Sequence, residues 1–154
     1  MKKNNTGQKL WRKANKIIPG GNGLLSKRPE RYAPDIWPVY FSRAKGCYVW
    51  DLDGNRYIDM AQNGIGSAVL GYSDPDVNKA VFGAIKNSVN TTLNAPEEVE
   101  LAELLLELNP KMDMVKFAKG GGEAMSIAIR IARTFTKKEK ILFSGYHGWS
   151  DWYL

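Results

Sequence analysis

Cysteine and histidine each occur once in the 154 residues, as Cys47 and His147. A single cysteine cannot close an internal disulfide, which excludes a disulfide-stapled secreted scaffold and fits a reducing cytoplasm. One histidine and one cysteine far apart in the chain leave no constellation for a metal site. No Ser-His-Asp or Cys-His arrangement can be assembled from them without free assumptions. Long apolar runs are also missing: nothing approaches the roughly 18 residues needed to span a bilayer, so no membrane partner is expected. The start, "MKKNNTGQKLWRKANK", is basic but lacks an apolar h-region and does not read as a secretory signal. Acids are scarce at the front of the chain. Residues 1–45 carry 11 Lys and Arg against 2 acids, a net of +9, whereas residues 46–154 carry 11 against 14, a net of −3.

The overall charge of +6 therefore belongs to an N-terminal arm. Such an arm binds a polyanion, faces a negatively charged substrate, or is a solvated helix face. Its aromatic residues are not interleaved with the basic ones as a nucleic-acid surface requires, so no nucleic acid is expected as a partner. A content of 44% hydrophobic and 25% charged residues is that of an ordinary soluble globular protein of about one domain's length.

Residues 8–18 place Leu10, Ala14, Ile17 and Ile18 at helical spacing, and Pro19-Gly20-Gly21 stops that helix. Residues 19–45 have no clear period and read as an extended wrap over a larger body. In "GCYVWDLDGNRYIDM" (46–60), Tyr48 and Trp50 alternate with Val49, Asp53-Gly54 supplies a turn, and Tyr57 and Asp59 resume beyond it: a β-hairpin. The acidic run superficially suggests a calcium loop but lacks the later ligands. Asp74 is placed to cap a helix with Pro75 at its first position, and Val77, Ala80, Val81, Ala84 and Ile85 form its expected buried stripe. A further helix is expected from Pro96 to about Leu108, with Glu97, Glu98 and Glu100 near the positive end of its dipole.

From there the pattern becomes strand (114–118), helix (from the glycines onward) and strand (141–143), the order of a parallel α/β sheet. On that helix Ala124, Ile127, Ala128, Ile131 and Phe135 share one face. The sequence then runs out at "SGYHGWSDWYL", aromatic and without the helix such a strand should lead into. The expectation is that these residues are the front part of a larger α/β protein.

Gly120-Gly121-Gly122 sit between the first run and the helix. Strand, glycines, helix is the geometry in which backbone N–H groups converge on an anion, and it is equally that of a plain turn. It is neither a Walker A loop nor GxGxxG. Glu123 suits a helix N-terminus, yet it repels a phosphate unless its side chain points away. Tyr146 and His147 follow the second run, where open α/β sheets bind ligands. Tyr146 could stack on a flat ring and His147 contact its substituents, or both are partly buried core residues.

The order of "IIPGG", "GCYVWDLDGNRYIDM", "LGYSDPDV", "KGGGEAMSIAIRIAR" and "YHGWSD" resembles the N-terminal third of the class III aminotransferases, in particular glutamate-1-semialdehyde 2,1-aminomutase and its aminotransferase relatives. The resemblance implies a fold-type I α/β architecture. An arm, helix and hairpin (1–70) would belong to the small domain, and 71–154 would begin the cofactor-binding large domain. It implies pyridoxal 5'-phosphate as cofactor, a small-molecule amino donor and acceptor, and a homodimer. The family's Ser-Gly-Thr-Glu-Ala phosphate loop falls on Gly120, Gly121, Gly122, Glu123 and Ala124, so both hydroxyl residues are glycine here. Tyr146 and His147 would contact the cofactor. Lys27 or Arg28, in "PGGNGLLSKR", would contact a substrate carboxylate, although only arginine offers a bidentate fork. The family's Schiff-base lysine has no counterpart among the lysines here, so no catalytic residue is assigned in this chain. Alternatives to the enzyme are a basic polyanion-binding module and an inactive truncated remnant of an aminotransferase.

Overall fold

In a computed structural model, residues 5–61, 64 and 66–148 are described. They fall into two units, one ending at Asn90 and the other beginning at Thr91. Lys2 and Lys3 of the basic arm, and Trp149 to Leu154, lie outside the described residues.

In the first unit, α1 (Thr6–Ile17) buries Gly7, Trp11 and Ala14 along one side and leaves Lys9, Lys13 and Lys16 exposed on the other. The extended wrap that follows supplies its cover. Trp11 Nε1 donates to Glu30 Oε1 at 2.8 Å, and Gln8 Nε2 donates to the Trp37 carbonyl at 2.8 Å. Arg12 and Asp35 pair at 3.4 Å, a surface ion pair of small energetic weight. Thr6 donates through both its amide and its hydroxyl to the Asp53 carboxylate. The wrap contains two short 3-10 turns, Leu25–Lys27 and Pro29–Arg31, and a stacked pair of rings, Tyr32 on Trp37, with centroids 4.4 Å apart.

The wrap also ends in a strand that alternation does not announce. β1 (Phe41–Lys45), β2 (Tyr48–Asp51) and β3 (Arg56–Ile58) form an antiparallel meander in that order, with a register shift between Phe41 and Arg43. The expected hairpin is the β2–β3 pair. Its turn is organised by one carboxylate: Asp51 Oδ1 accepts from the amides of Asp53 (2.9 Å) and Asn55 (2.8 Å). Asp51 Oδ2 accepts from Asn55 Nδ2 and Tyr57 Oη, both at 2.9 Å. Gly54 takes the left-handed φ of 80° that this turn needs. Beyond β3 the chain returns to the sheet, where Gly46 and Tyr72 exchange backbone hydrogen bonds of 2.8 and 2.9 Å, and Tyr72 Oη donates to Asp59 Oδ2 at 2.6 Å.

α2 (Pro75–Asn87) starts as the sequence anticipates: the Asp74 side chain accepts from the amides of Asp76 and Val77, both at 3.0 Å, and Pro75 needs no acceptor at the first position. Its apolar stripe is not buried, however. Val77, Val81 and Ile85 remain about half exposed (48%, 50% and 51%).

The second unit holds α3 (Pro96–Leu108), with Glu97 and Glu98 in its first turn, and α4 (Gly121–Thr136). α4 buries Ile129, while the expected face is largely open: Ala124, Ala128, Ile131 and Phe135 are exposed. The helix is apolar on more than one side, so periodicity alone does not select the side that meets its own unit. Residues 114–118 and 141–143, expected as parallel strands, form no β-pairing among the described residues. A strand exists only through its neighbour's hydrogen bonds, and the described residues offer these runs none. No described helix is long and apolar enough to cross a membrane.

Candidate functional site

The glycine loop leads directly into α4. Gly120 is the N-cap residue, in extended conformation (φ −138°, ψ 154°), and Gly121 opens the helix. The bond from Ala124 N–H to the Gly120 carbonyl, at 3.0 Å, joins the N-cap to the first turn. A Cβ placed on Gly120 or Gly121 meets nothing within 4 Å, so the backbone here faces open space that a ligand can enter closely. Gly120 has no side chain with which to cap the helix, so this end presents an anion with its macrodipole and backbone amides, beside the first-turn carboxylate of Glu123. The Glu123 carboxylate folds back on the residue before the N-cap, with Oε2 accepting from the Lys119 amide at 3.0 Å, which leaves its negative charge at the same helix end.

The loop after residue 143 comes to the same place. Gly145 and Gly148 have φ of 80° and 96°, and a Cβ on Gly148 would lie 2.9 Å from Gly122 Cα. Only glycine allows the two loops to approach so closely. The segment Gly145–Gly148 therefore carries Tyr146 and His147 beside the N-terminus of α4. Tyr146 is 73% exposed, a ring accessible to a flat partner. His147 Nε2 lies 2.6 Å from the Ser144 carbonyl, and a carbonyl only accepts, so Nε2 carries the proton in this bond. The ring also stands edge-on to Phe143, with centroids 6.3 Å apart. Five of the expected site residues, Gly120, Gly121, Gly122, Tyr146 and His147, are thus assembled on one end of one helix. Gly148 is the member that sequence reasoning missed; its signal was the glycine that closes the Gly-Tyr-His-Gly run.

Arg28 and Lys27 lie in the first unit and differ from each other. Lys27 is exposed at the end of a 3-10 turn, whereas Arg28 is half-buried in a cleft of about 380 Å³ with Trp11, Asn15 and Glu30. Around the hairpin, two tyrosines are perturbed. Burial, with the Asp51 carboxylate beside it, pushes the Tyr57 hydroxyl up to about 12. The hydrogen bond to Asp59, with burial, pushes Tyr72 up to about 12. Burial opposes ionisation of Asp51, but donations from Asn55, Tyr57 and Asp53 outweigh it and hold its carboxyl below the usual value. These three groups organise the hairpin and the return of the chain to its sheet.

Comparison with known proteins gives the family. The model of the family described as aminotransferase class-III matches residues 31–154. The chain belongs to the class III aminotransferases. Among curated relatives of this family member, 3-aminobutyryl-CoA aminotransferase of Cloacimonas acidaminovorans is 38% identical over 145 residues, 93% of this chain and 34% of the relative. Glutamate-1-semialdehyde 2,1-aminomutase of Cytophaga hutchinsonii is 38% identical over 154 residues, 99% of this chain and 35% of the relative. A solved structure described as a transaminase with PLP bound superposes with a TM-score of 0.82 at 31% identity, covering 94% of this chain and 33% of its own. The chain spans about a third of the length of the curated relatives it matches. The α/β fold-type I architecture expected from the resemblance agrees with these neighbours.

Proposed function

We propose that the protein to which these residues belong is a pyridoxal 5'-phosphate-dependent aminotransferase or aminomutase that moves an amino group on a small polar substrate. The observation that carries this reading is the open space over Gly120 and Gly121 at the N-terminus of α4, with the Tyr146-His147 loop brought to it by Gly148, in a chain of the class III family. The residues present fit the cofactor. The first-turn amides around Gly120, Gly121 and Gly122 hold its phosphate and the helix dipole favours the phosphate's charge, while the Glu123 carboxylate, turned back onto Lys119 N–H, offsets part of that preference.

The Tyr146 ring offers a stacking surface to a flat pyridine. His147, its Nε2–H held by Ser144 O, keeps a fixed ring orientation and presents its other edge to the cofactor's substituents. When bound, pyridoxal phosphate supplies an aldehyde that condenses with the substrate amine and a ring that takes up the electrons released at the α-carbon. Arg28 receives a substrate carboxylate through its planar fork, and Lys27, exposed and unbranched, is the weaker candidate. These residues bind and orient. The covalent lysine is not among them, and the 154 residues alone carry no transamination in this account.

In the same account residues 1–70 are part of the small domain and 71–154 begin the large domain. The exposed apolar rows of α2 and α4 are covered in the assembled protein, a cytoplasmic homodimer. The test is reduction of the whole protein with borohydride in the presence of the cofactor, followed by peptide mass spectrometry. A pyridoxyl-lysine adduct is expected, and its absence overturns the reading.

A further inference from the structure

We propose that Gly20 is a positioning residue for the Arg28 guanidinium, and through it for recognition of a substrate carboxylate; the second part rests on the role given to Arg28 above. α1 is followed by Pro19-Gly20-Gly21, and both glycines are left-handed, with φ of 70° and 76°. The backbone makes the same demand of each, but what each lies against is different. A Cβ on Gly20 would overlap Arg28 Nη2 and lie 2.9 Å from Arg28 Cζ. A Cβ on Gly21 would run into the Trp11 ring, 2.6 Å from Cζ3, and lie 2.9 Å from Asn15 Oδ1. One glycine thus seats a guanidinium and the other seats a buried indole.

The guanidinium is held by shape rather than by an acid. Arg28 Nε is buried without a hydrogen-bond partner, and Glu30, the nearest acid in sequence, is occupied by Trp11 Nε1. Among the described residues Arg28 forms no ion pair. Its charge and its donors are therefore not consumed by the protein, and the face of Gly20 fixes the plane in which they are offered. A planar fork binds a carboxylate in two parallel hydrogen bonds only when that plane is set. Because the group that Gly20 meets is the far end of a flexible side chain, a Cβ there moves the guanidinium instead of breaking the fold. A Cβ on Gly21 meets a ring that is 8% exposed and has nowhere to go.

The experiment uses the whole protein and three variants, Gly20→Ala, Gly20→Asn and Gly21→Ala. Asparagine tolerates a left-handed backbone, so Gly20→Asn keeps the fold while still adding a Cβ. The first readout needs no activity: labelling of Arg28 by phenylglyoxal, followed by peptide mass spectrometry. Both Gly20 variants are expected to change the Arg28 labelling rate several-fold, and Gly21→Ala to leave it near the wild-type rate. Unchanged labelling in Gly20→Asn overturns the proposal.

The second readout is steady-state kinetics with a carboxylate-bearing amino donor. Gly20→Asn should raise KM by about tenfold or more, the loss expected when a charge-assisted hydrogen bond is mis-set, with kcat within about twofold. In an Arg28→Ala background the same substitution should add nothing. An equal KM increase in that background overturns the proposal. If labelling shifts while Arg28→Ala leaves KM unchanged, the positioning stands and the assignment of Arg28 to the substrate fails, so the two readings fall separately.

Discussion

Replacing Asp51 with alanine removes one acceptor group from four hydrogen bonds, two of them donated by the backbone amides of Asp53 and Asn55 and two by the side chains of Asn55 and Tyr57. Bonds to a charged acceptor contribute about 1.5–3 kcal/mol each when well buried. Asp51 is only half-buried, and water takes over part of what is lost, so the expected total is about 3 kcal/mol rather than the sum. Asp51→Asn separates the parts. Its Oδ1 still accepts from the two amides, but its Nδ2 turns a donor toward Tyr57 Oη and Asn55 Nδ2, so about half the loss is expected. The assay is the denaturant midpoint of the whole protein at pH 7 with an unchanged slope. An alanine variant within about 0.5 kcal/mol of wild type refutes the reasoning that one carboxylate holds this turn.

The same substitution has a spectroscopic counterpart. Tyr57 is pushed up to about 12 by burial and by Asp51. A raised folded value means that its contribution to stability is whole below the unfolded value near 10 and is lost as pH rises through about 12. Asp51 behaves oppositely: its lowered folded value contributes above the ordinary 3.8 and is lost as pH falls through the folded value. In Asp51→Asn, tyrosinate absorbance from Tyr57 should develop at lower pH than in wild type, though burial keeps it above an ordinary tyrosine.

Tyr72 should respond in the same way to Asp59→Asn, its titration moving down from about 12, and no movement would show that the 2.6 Å bond is not what raises it. Gly120→Ser restores one hydroxyl of the family's phosphate loop at a position with open space and an ordinary extended φ. It should tighten pyridoxal phosphate about fivefold, one net hydrogen bond of about 1 kcal/mol, and change stability by under about 0.5 kcal/mol. Gly148→Ala, strained at φ 96° and pressed on Gly122 Cα, should part the two loops and weaken cofactor binding measured by absorbance titration, with α4 helicity retained by circular dichroism.

Where a sequence names its own boundaries, reading and structure agree. Asp74-Pro75 and Pro96 begin helices because each supplies the first-turn chemistry locally, and Asp53-Gly54 closes the hairpin for the same reason. β1 escaped because Phe41–Lys45 is exposed along almost its whole length, so no alternation was required of it. Burial was the least legible property. The stripe of α2 and the Ile131–Phe135 side of α4 are apolar by sequence but open here, since burial belongs to whatever covers a surface and not to the surface alone. The glycine loop was legible as the start of a helix, and its role as an anion site is the proposal built on that position. The approach of Gly148 to Gly122, and of Gly20 to Arg28, was not legible, because both are distances between residues separated in sequence.

The central claim is that the α4 N-terminus holds the phosphate of pyridoxal phosphate, and two ligands and one variant test it. Affinities of pyridoxal phosphate and of phosphate-free pyridoxal are measured on the whole protein and on Gly121→Asp. Aspartate suits the first turn of a helix, so the fold is kept while the amides are given a competing negative charge. The account predicts that wild type prefers the phosphorylated ligand by at least about tenfold and that Gly121→Asp loses most of that preference. An undiminished preference in Gly121→Asp would contradict it.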